Sequence, residues 1–322
     1  MNSYKDLNKI RDVINDNASF VISSHINPDG DAVGASLGLG LALQAAGKDV
    51  KVVINGVAAK FMGIAGSELI SGEVDSGDDV ILICLDCATL ERLYIKERFN
   101  DFKTTINIDH HITNTGYSAY NYVDGQVASA CEVVFELVEG FLPIDKNIAE
   151  ALLLGILSDT GGFSHSNTKV ATLKNAARLM DTGADITKMK KRVLNNRTMS
   201  EAKAFGLALN NMKQEHGCIN ISYLTKDDFE TTGAVYSDLD GIAEYMLEVS
   251  GAMVSLFFTE RDGGIIKVNF RSMKANVSEV AALYGGGGHI NAAGANIEGN
   301  VFEVMDNVVG KVWEVLRNEK IC

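Results

Sequence analysis

Four apolar runs in the first half of the chain end in side chains that can bind a metal. The first runs from Ser19 to His25 and is followed by Asp29 and Asp31. The second ends at Asp86 and the third at Asp109, His110 and His111. The fourth has a helical pattern and ends at Asp159. Carboxylates and imidazoles together suit a divalent cation of intermediate hardness, such as Mn²⁺. Asp29 and Asp31 stand two apart in a turn, so they can serve neighbouring ions. Two ions held roughly 3.5–4 Å apart can bridge a hydroxide and clamp a phosphoryl group for in-line attack. Without cations such a gathering of carboxylates is unfavourable, because like charges raise each other's pKa. Any one of these aspartates alone reads as a turn residue or a helix cap, Asp31 especially. Four such endings, two of them with histidine, outweigh that reading.

The elements around these residues have to bring them together. Ser19 to His25 reads as a buried strand, and Asp31 to Ala46 as a helix stopped by Gly47. Asp49 to Ile54, Asp79 to Asp86 and Thr104 to Asp109 read as further strands, and Asn147 to Ser158 as an apolar helix. Strands alternating with helices predict a parallel, Rossmann-like sheet with helices on both faces. In such a sheet the carboxyl ends of the strands form the ligand crevice, so all four endings fall on one edge. The glycines at 34, 38 and 40 suit close helix-to-sheet packing.

Beyond residue 168 the pattern is helical to residue 215, with one long helix expected over 185–214. A smaller α/β unit follows: a strand from Cys218 to Leu224 and a helix from Leu239 to Val249. A hairpin turns at Arg261-Asp262-Gly263-Gly264 between strands 252–259 and 265–271. Ser278 to Tyr284 reads as a short helix, Gly285 to Gly288 as a glycine-rich loop, and Val301 to Glu319 as an amphipathic helix. The expected organisation is a metal-binding domain over 1–184, a helical connector over 185–215 and a second domain over 216–322.

The chain has 322 residues and a net charge of −13. That acidity argues against long duplex nucleic acid, which needs a basic face. It leaves room for a small phosphorylated substrate held through cations. Five cysteines without a framework spacing fit a reduced cytoplasmic setting. The first residues lack the apolar core of a signal peptide, and no apolar stretch is long enough to span a membrane.

The segments His25-Ile-Asn-Pro-Asp-Gly-Asp-Ala32, Asp86, Asp109-His110-His111 and Ser158-Asp159-Thr-Gly-Gly-Phe163 resemble the successive motifs of the DHH phosphoesterase superfamily. Lys267-Val-Asn-Phe-Arg271-Ser and Gly285-Gly-Gly-Gly-His289-Ile-Asn-Ala-Ala-Gly294 resemble its associated substrate-binding domain. In length and domain content the chain is similar to the short bacterial members, the nanoRNase/pAp-phosphatase group. The resemblance implies two Mn²⁺ ions, with Mg²⁺ or Co²⁺ as substitutes. His25 and Asp29 would hold the first ion, Asp31, His110 and Asp159 the second, and Asp86 both. His111 would stand beside the substrate phosphate, and Asp109 would orient a ligating ring. Arg271 would contact a phosphate, and Gly286, Gly287, Gly288 and His289 would approach the substrate closely. The implied substrates are short single-stranded oligonucleotides, including pGpG, and 3′-phosphoadenosine 5′-phosphate (pAp). A homodimer is compatible with the group. Two positions depart from its pattern: Ala35 follows Gly34, and Asn269 stands where serine is common.

Other features read more simply. Cys84-Leu-Asp-Cys87 lacks a second pair and suits two small apolar fillers. Gly285 to Gly288 lacks the following Lys-Ser/Thr of a nucleoside triphosphate loop. His165 reads equally as a cleft residue and as a loop residue. The basic run Lys188 to Arg192 reads as a solvated helix face. Two competing functions are inorganic pyrophosphatase, which shares the metal motifs, and a non-catalytic nucleotide sensor.

Overall fold

The computed structural model describes residues 7–72, 74, 76–194, 198–239 and 241–322. The chain divides into two compact units, Met1–Asn196 and Arg197–Cys322.

The first unit is α/β. In chain order it contains α1 (Leu7–Asp16), β1 (Ser19–Ser23), α2 (Gly30–Ala45), β2 (Asp49–Val53), β3 (Gly77–Leu85), β4 (Phe102–Asp109) and β5 (Tyr120–Val123). Then come α3 (Ala130–Val138), α4 (Lys146–Asp159), α5 (Val170–Asp181) and α6 (Ile186–Leu194). The five strands lie in the order β2-β1-β3-β4-β5, and every pair is parallel. From β1 the chain proceeds to β2 on one side and to β3 on the other. The switch point of the sheet, where open parallel sheets bind ligands, therefore lies between β1 and β3.

The register fixes what reaches that point. Ser23 of β1 pairs with Cys84 of β3, which pairs with Asn107 of β4. His25, Asp86 and Asp109 each stand two residues beyond this common row. The inner strand β1 and the buried part of β3, Val80 to Leu85, are apolar because both faces are covered. On one face Phe20, Ile22, Ile81, Ile83, Ile106 and Ile108 pack with residues of α1, α2, α3 and α4. The other face differs from the expectation of α-helices on both sides. Val21, Leu82 and Cys84 there pack under Leu93 and Ile95, on irregular chain with short 3-10 helices at Leu90–Arg92 and Lys96–Asp101, and with Phe102 at the start of β4.

Residues 30–40 of α2 are all buried, which explains why the helix carries no polar face. Its glycines also differ from the expectation. Gly34 and Gly38 face α4 rather than the sheet: a Cβ on Gly34 would lie 2.5 Å from the Ala151 carbonyl oxygen, and one on Gly38 2.6 Å from Leu152. Gly40 does face the sheet, near Val52 and Ile22.

The expected helix over 185–214 is two helices. Asp185 Oδ1 accepts the Lys188 N–H, and α6 places Met189 and Val193 in the first unit's core. Thr198 caps the next helix, α7 (Met199–Asn210), in a reciprocal box with Glu201. Ala204 and Ala208 of α7 lie in a core of the second unit. Each half is anchored to a different unit, so periodicity alone could not show the break.

The second unit continues with β6 (Lys213–Glu215), β7 (Ile219–Leu224), α8 (Lys226–Thr232), α9 (Ile242–Glu248), β8 (Val254–Arg261) and β9 (Ile265–Ser272). It ends with α10 (Val277–Leu283), β10 (Gly287–His289), β11 (Ala292–Glu298) and α11 (Val301–Asn318). Its sheet runs β10-β11-β9-β8-β7-β6, with β7 and β8 parallel and the other pairs antiparallel. One face carries Leu256, Phe258, Val268 and Phe270 against α10 and α11. On the other, Phe257 and Leu224 pack with α7 and α9, and that apolar cluster draws no residue from β9, β10 or β11.

Two further expectations change here. Residues 287–289 of the expected glycine loop are an edge strand paired with β11. Cys218 and Cys322 form a disulfide across 104 residues, where free thiols were expected, while Cys84, Cys87 and Cys131 are free and buried. The pairing joins the start of β7 to the residues after α11, a proximity that no local spacing reveals. No helix among the described residues is long and apolar enough to cross a membrane.

Candidate metal centre and substrate shelf

Each metal-binding candidate is set by the element that ends beside it. His25 follows β1, and its Nδ1 lies 2.9 Å from the Ile26 carbonyl oxygen, leaving Nε2 to face the cluster. Asp29 is the N-cap of α2, its Oδ1 accepting the N–H groups of Asp31 and Ala32 at 3.0 and 3.1 Å. The cap is thus Asp29, and Asp31 lies inside the first turn. Asp86 leaves β3 with φ +50°, a left-handed conformation uncommon for aspartate, while its N–H still bonds the Ile108 carbonyl of β4. Asp159 is the last residue of α4.

These side chains meet. Three groups place their ligand atoms within 4.8 Å of one another: His25, Asp29 and Asp86; Asp31, His110 and Asp159; and Asp86, Asp109, His110 and His111. Asp86 is 3.7 Å from His25 Nε2 and 3.5 Å from His110 Nε2. His110 Nε2 lies 3.3 Å from Asp159 and 3.8 Å from Asp31. Asp86 Oδ1 is buried and has no hydrogen-bond partner.

The electrostatics are those of crowded carboxylates. Burial and the charges of Asp86 and its neighbours push the Asp31 and Asp159 acids up. Burial also opposes charge on Asp86, but the neighbouring His110 and His25 rings more than offset it and hold that carboxyl below its usual range. His110 is driven to about 10, burial being outweighed by the adjacent carboxylates of Asp86, Asp31 and Asp159. Protons here do the work that a divalent cation would do better, because a cation satisfies several carboxylates and the orphaned oxygen together. The donor set fits such a group.

Asp109 is already engaged. Its Oδ1 accepts the His110 and His111 N–H groups and lies 2.8 Å from His111 Nδ1, while Oδ2 accepts Asn114 Nδ2 at 2.5 Å. It holds the turn and the His111 ring rather than facing the cluster with a free oxygen. The His111 side chain is 38% exposed against 15% for His110, so it is the more open of the two rings.

Three supports had not been read from the sequence. The Asp31 carboxylate accepts the N–H groups of Ala130 and Cys131 at 2.5 and 3.0 Å, at the N-terminus of α3. Buried Glu132 braces that turn, accepting from Ala128 N, Thr172 Oγ1 and Asn175 Nδ2. The S-x-x-E pattern of Ser129 to Glu132 is the signal that marks this helix start. Asn114 also reaches Asn107 Oδ1, and Asn107 bonds the Cys84 and Cys87 carbonyls on either side of Asp86. His165 hydrogen-bonds the Asp159 carbonyl through Nδ1.

In the second unit the expected substrate residues share a sheet face. His289 pairs with Ala292 of β11, which pairs with Arg271 of β9, so all three stand in one row. The next row is Gly287, Gly294 and Asn269. Small residues between the long ones make an open shelf. Arg271 Nε donates to Glu244 of α9 at 2.7 Å. Gly286 and Gly288 are accounted for by packing: a Cβ would lie 2.2 Å from the Gly294 oxygen or 2.4 Å from the Ala292 oxygen. Gly287 faces open space.

Comparison with known proteins agrees with this layout. The family model for the DHH family, N-terminal domain, matches residues 19–156, and that for the DHHA1 domain matches residues 220–318. The chain is 32% identical over 303 residues to a Thermus thermophilus protein named bifunctional oligoribonuclease and PAP phosphatase NrnA, covering 92% of this chain and 89% of the relative. It is 27% identical to a Bacillus subtilis protein of the same name, covering 87% and 89%. Among solved structures, an exopolyphosphatase-related protein from Bacteroides fragilis superposes with a TM-score of 0.85 at 26% identity, covering 97% of both chains. The chain belongs to the DHH family and carries both its N-terminal and its DHHA1 domains.

Proposed function

We propose that this protein is a divalent-metal-dependent phosphoesterase that hydrolyses short oligonucleotides, including pGpG, and pAp. The observation that carries the reading is the cluster itself. Six carboxylate and imidazole side chains from four separate segments converge at the carboxyl edge of the sheet, with the buried Asp86 Oδ1 left unpartnered. The names of the relatives support the substrate class. They do not favour inorganic pyrophosphatase, and the complete donor set does not favour a sensor.

In this reading His25 and Asp29 would hold one cation, Asp31, His110 and Asp159 would hold another, and Asp86 would serve both. Mn²⁺ suits the mixed oxygen and nitrogen donors, with Mg²⁺ or Co²⁺ as substitutes. Two such ions supply Lewis acidity and an activated water to the phosphorus centre. His111, oriented by Asp109, steadies charge on the phosphoryl oxygens or protonates the leaving group. Arg271 grips a substrate phosphate with its guanidinium fork, and His289 and Gly287 complete the contact. The metal chemistry belongs to the first unit and substrate recognition to the second. The protein works in the cytoplasm on small nucleotides rather than on long duplexes, and a homodimer is compatible with it.

The test is a substrate panel in Mn²⁺. Dinucleotides should yield mononucleotides and pAp should yield inorganic phosphate, with pyrophosphate hydrolysed far more slowly. Fast turnover of pyrophosphate with none of the nucleotides would overturn the assignment.

A further inference from the structure

The segment after α4 doubles back over the end of that helix. Gly161, Gly162 and Phe163 have φ of +55°, +65° and +74°, three left-handed residues in succession. Such a run reverses the chain tightly, and phenylalanine enters it only where its surroundings hold it. The Thr160 hydroxyl does so, donating to the Ile156 carbonyl at 2.5 Å and accepting the Phe163 N–H at 3.1 Å. The Ser164 and His165 N–H groups return to the Thr160 carbonyl. His165 and Asn167 thereby come to lie beside Asp159, the last residue of α4.

Asn167 joins two loops from that position. Its Nδ2 donates to the Asp159 carbonyl at 3.1 Å and to the Ala128 carbonyl at 3.3 Å. An amide nitrogen has two hydrogens, and here each has its own acceptor. Turning the amide over would set Oδ1 against two carbonyl oxygens. Oδ1 itself is buried and has no hydrogen-bond partner. A buried acceptor left so is unfavourable, so the side chain is held by its donors. Ala128 stands just before the N-terminus of α3, where the Ala130 and Cys131 N–H groups seat Asp31. The Ala128 N–H is in turn held by Glu132 Oε1 at 2.9 Å. Lys169 Nζ donates to the Gln126 carbonyl, a second tie between the same two loops.

We infer that Asn167 is a positioning residue that couples Asp159 to the seat of Asp31. This rests on the phosphoesterase reading, in which these two carboxylates and His110 would hold one cation. The Asp159 backbone takes one hydrogen of the amide, and the loop that seats Asp31 takes the other. Neither bond goes to His25, Asp29 or Asp86, so the affinity of the other cation site would not depend on Asn167. An aspartate here would keep the shape and lose both donors, placing a carboxylate against two carbonyl oxygens.

The experiment compares the full-length wild type with Asn167→Asp and Asn167→Ala. Calorimetric titration with Mn²⁺ in the absence of substrate should give two sites in the wild type. In both variants one site should weaken about 10–100-fold, the usual loss for a support of this kind, and the other should keep its affinity. Asn167→Asp should be no better than Asn167→Ala, because shape without donors does not couple the loops. Hydrogen exchange on the metal-free proteins reads the coupling itself: amides of residues 128–131 should exchange faster in both variants, and those of residues 84–87 should not. Melting temperatures confirm that the variants fold. Unchanged Mn²⁺ affinity at both sites, unchanged exchange at 128–131, or wild-type behaviour of Asn167→Asp would overturn the role. So would equal weakening of both sites, which marks a general loosening. A wild type that binds no Mn²⁺ would instead refute the phosphoesterase reading, and the exchange rates would still decide whether Asn167 couples the two loops.

Discussion

Asp31 Oδ1 and the backbone N–H of Cys131 lie 3.0 Å apart, joining residues 100 positions apart in the chain. The contact seats the carboxylate on the positive end of α3 and fixes where its oxygens face. Gly155 of α4 makes it sterically feasible. A Cβ at Gly155 would lie 2.2 Å from Cys131 Sγ and 2.7 Å from Asp31 Oδ1.

Gly155→Ala therefore strikes at both packing and the cluster. We expect a loss of about 1–3 kcal/mol in stability from overpacking, read by denaturant unfolding, together with weaker Mn²⁺ binding. A variant with unchanged Mn²⁺ affinity would show that the Asp31 position does not depend on this approach.

Asn114 ties Asp109 to Asn107, and through Asn107 to the carbonyls flanking Asp86. Asn114→Ala leaves Asp109 Oδ2 without its donor and the turn less fixed. Supports of this kind typically cost 10–100-fold in metal affinity or activity when removed, so a fall of about that size in kcat is expected. KM for pAp should change much less, since Asn114 braces the turn beside the metal cluster and not the residues proposed to bind substrate. An effect on KM alone would contradict the role.

Metal removal should have a pH signature. The Asp31 and Asp159 acids are raised on folding, so they weaken the cation-free protein at any pH above the ordinary carboxylate range. His110 is raised from 6.5 to about 10, so the stability it contributes is present below 6.5 and is lost as pH rises toward 10. Asp86, held low, contributes stability above 3.8 that is lost on acidification. The chelator-treated protein should thus melt at progressively lower temperature from pH 6.5 to 9. The gain on adding Mn²⁺ should grow over the same range, because the cation replaces protons at the cluster. A gain independent of pH would argue against this arrangement of charges.

Much of the site was legible because each side chain ends an apolar run. His25, Asp86 and Asp109 stand two residues past one row of a parallel sheet, and alternation of strands and helices is enough to predict such an edge. What the sequence hid is tertiary. The seat of Asp31 on α3 depends on residues 100 apart, and β5, Tyr-Asn-Tyr-Val, is too short and polar to read as a strand. The region 185–214 looked like one helix because it holds no proline and no glycine except Gly206, although α6 and α7 each face a different core. The glycines before His289 suggested a loop, whereas Gly286 and Gly288 let β10 lie against β11. The Cys218–Cys322 pair arises only when the second unit is assembled.

Asp86 is the residue that both proposed cation sites would share. The most direct test of that role is the rate of phosphate release from pAp in Mn²⁺ by the wild type and by Asp86→Ala, each also analysed for bound metal. The wild type should bind two equivalents of metal and turn over. The variant should lose metal and fall by more than about a hundredfold in kcat, beyond the effect of removing an outer support. Full activity in Asp86→Ala would contradict the account.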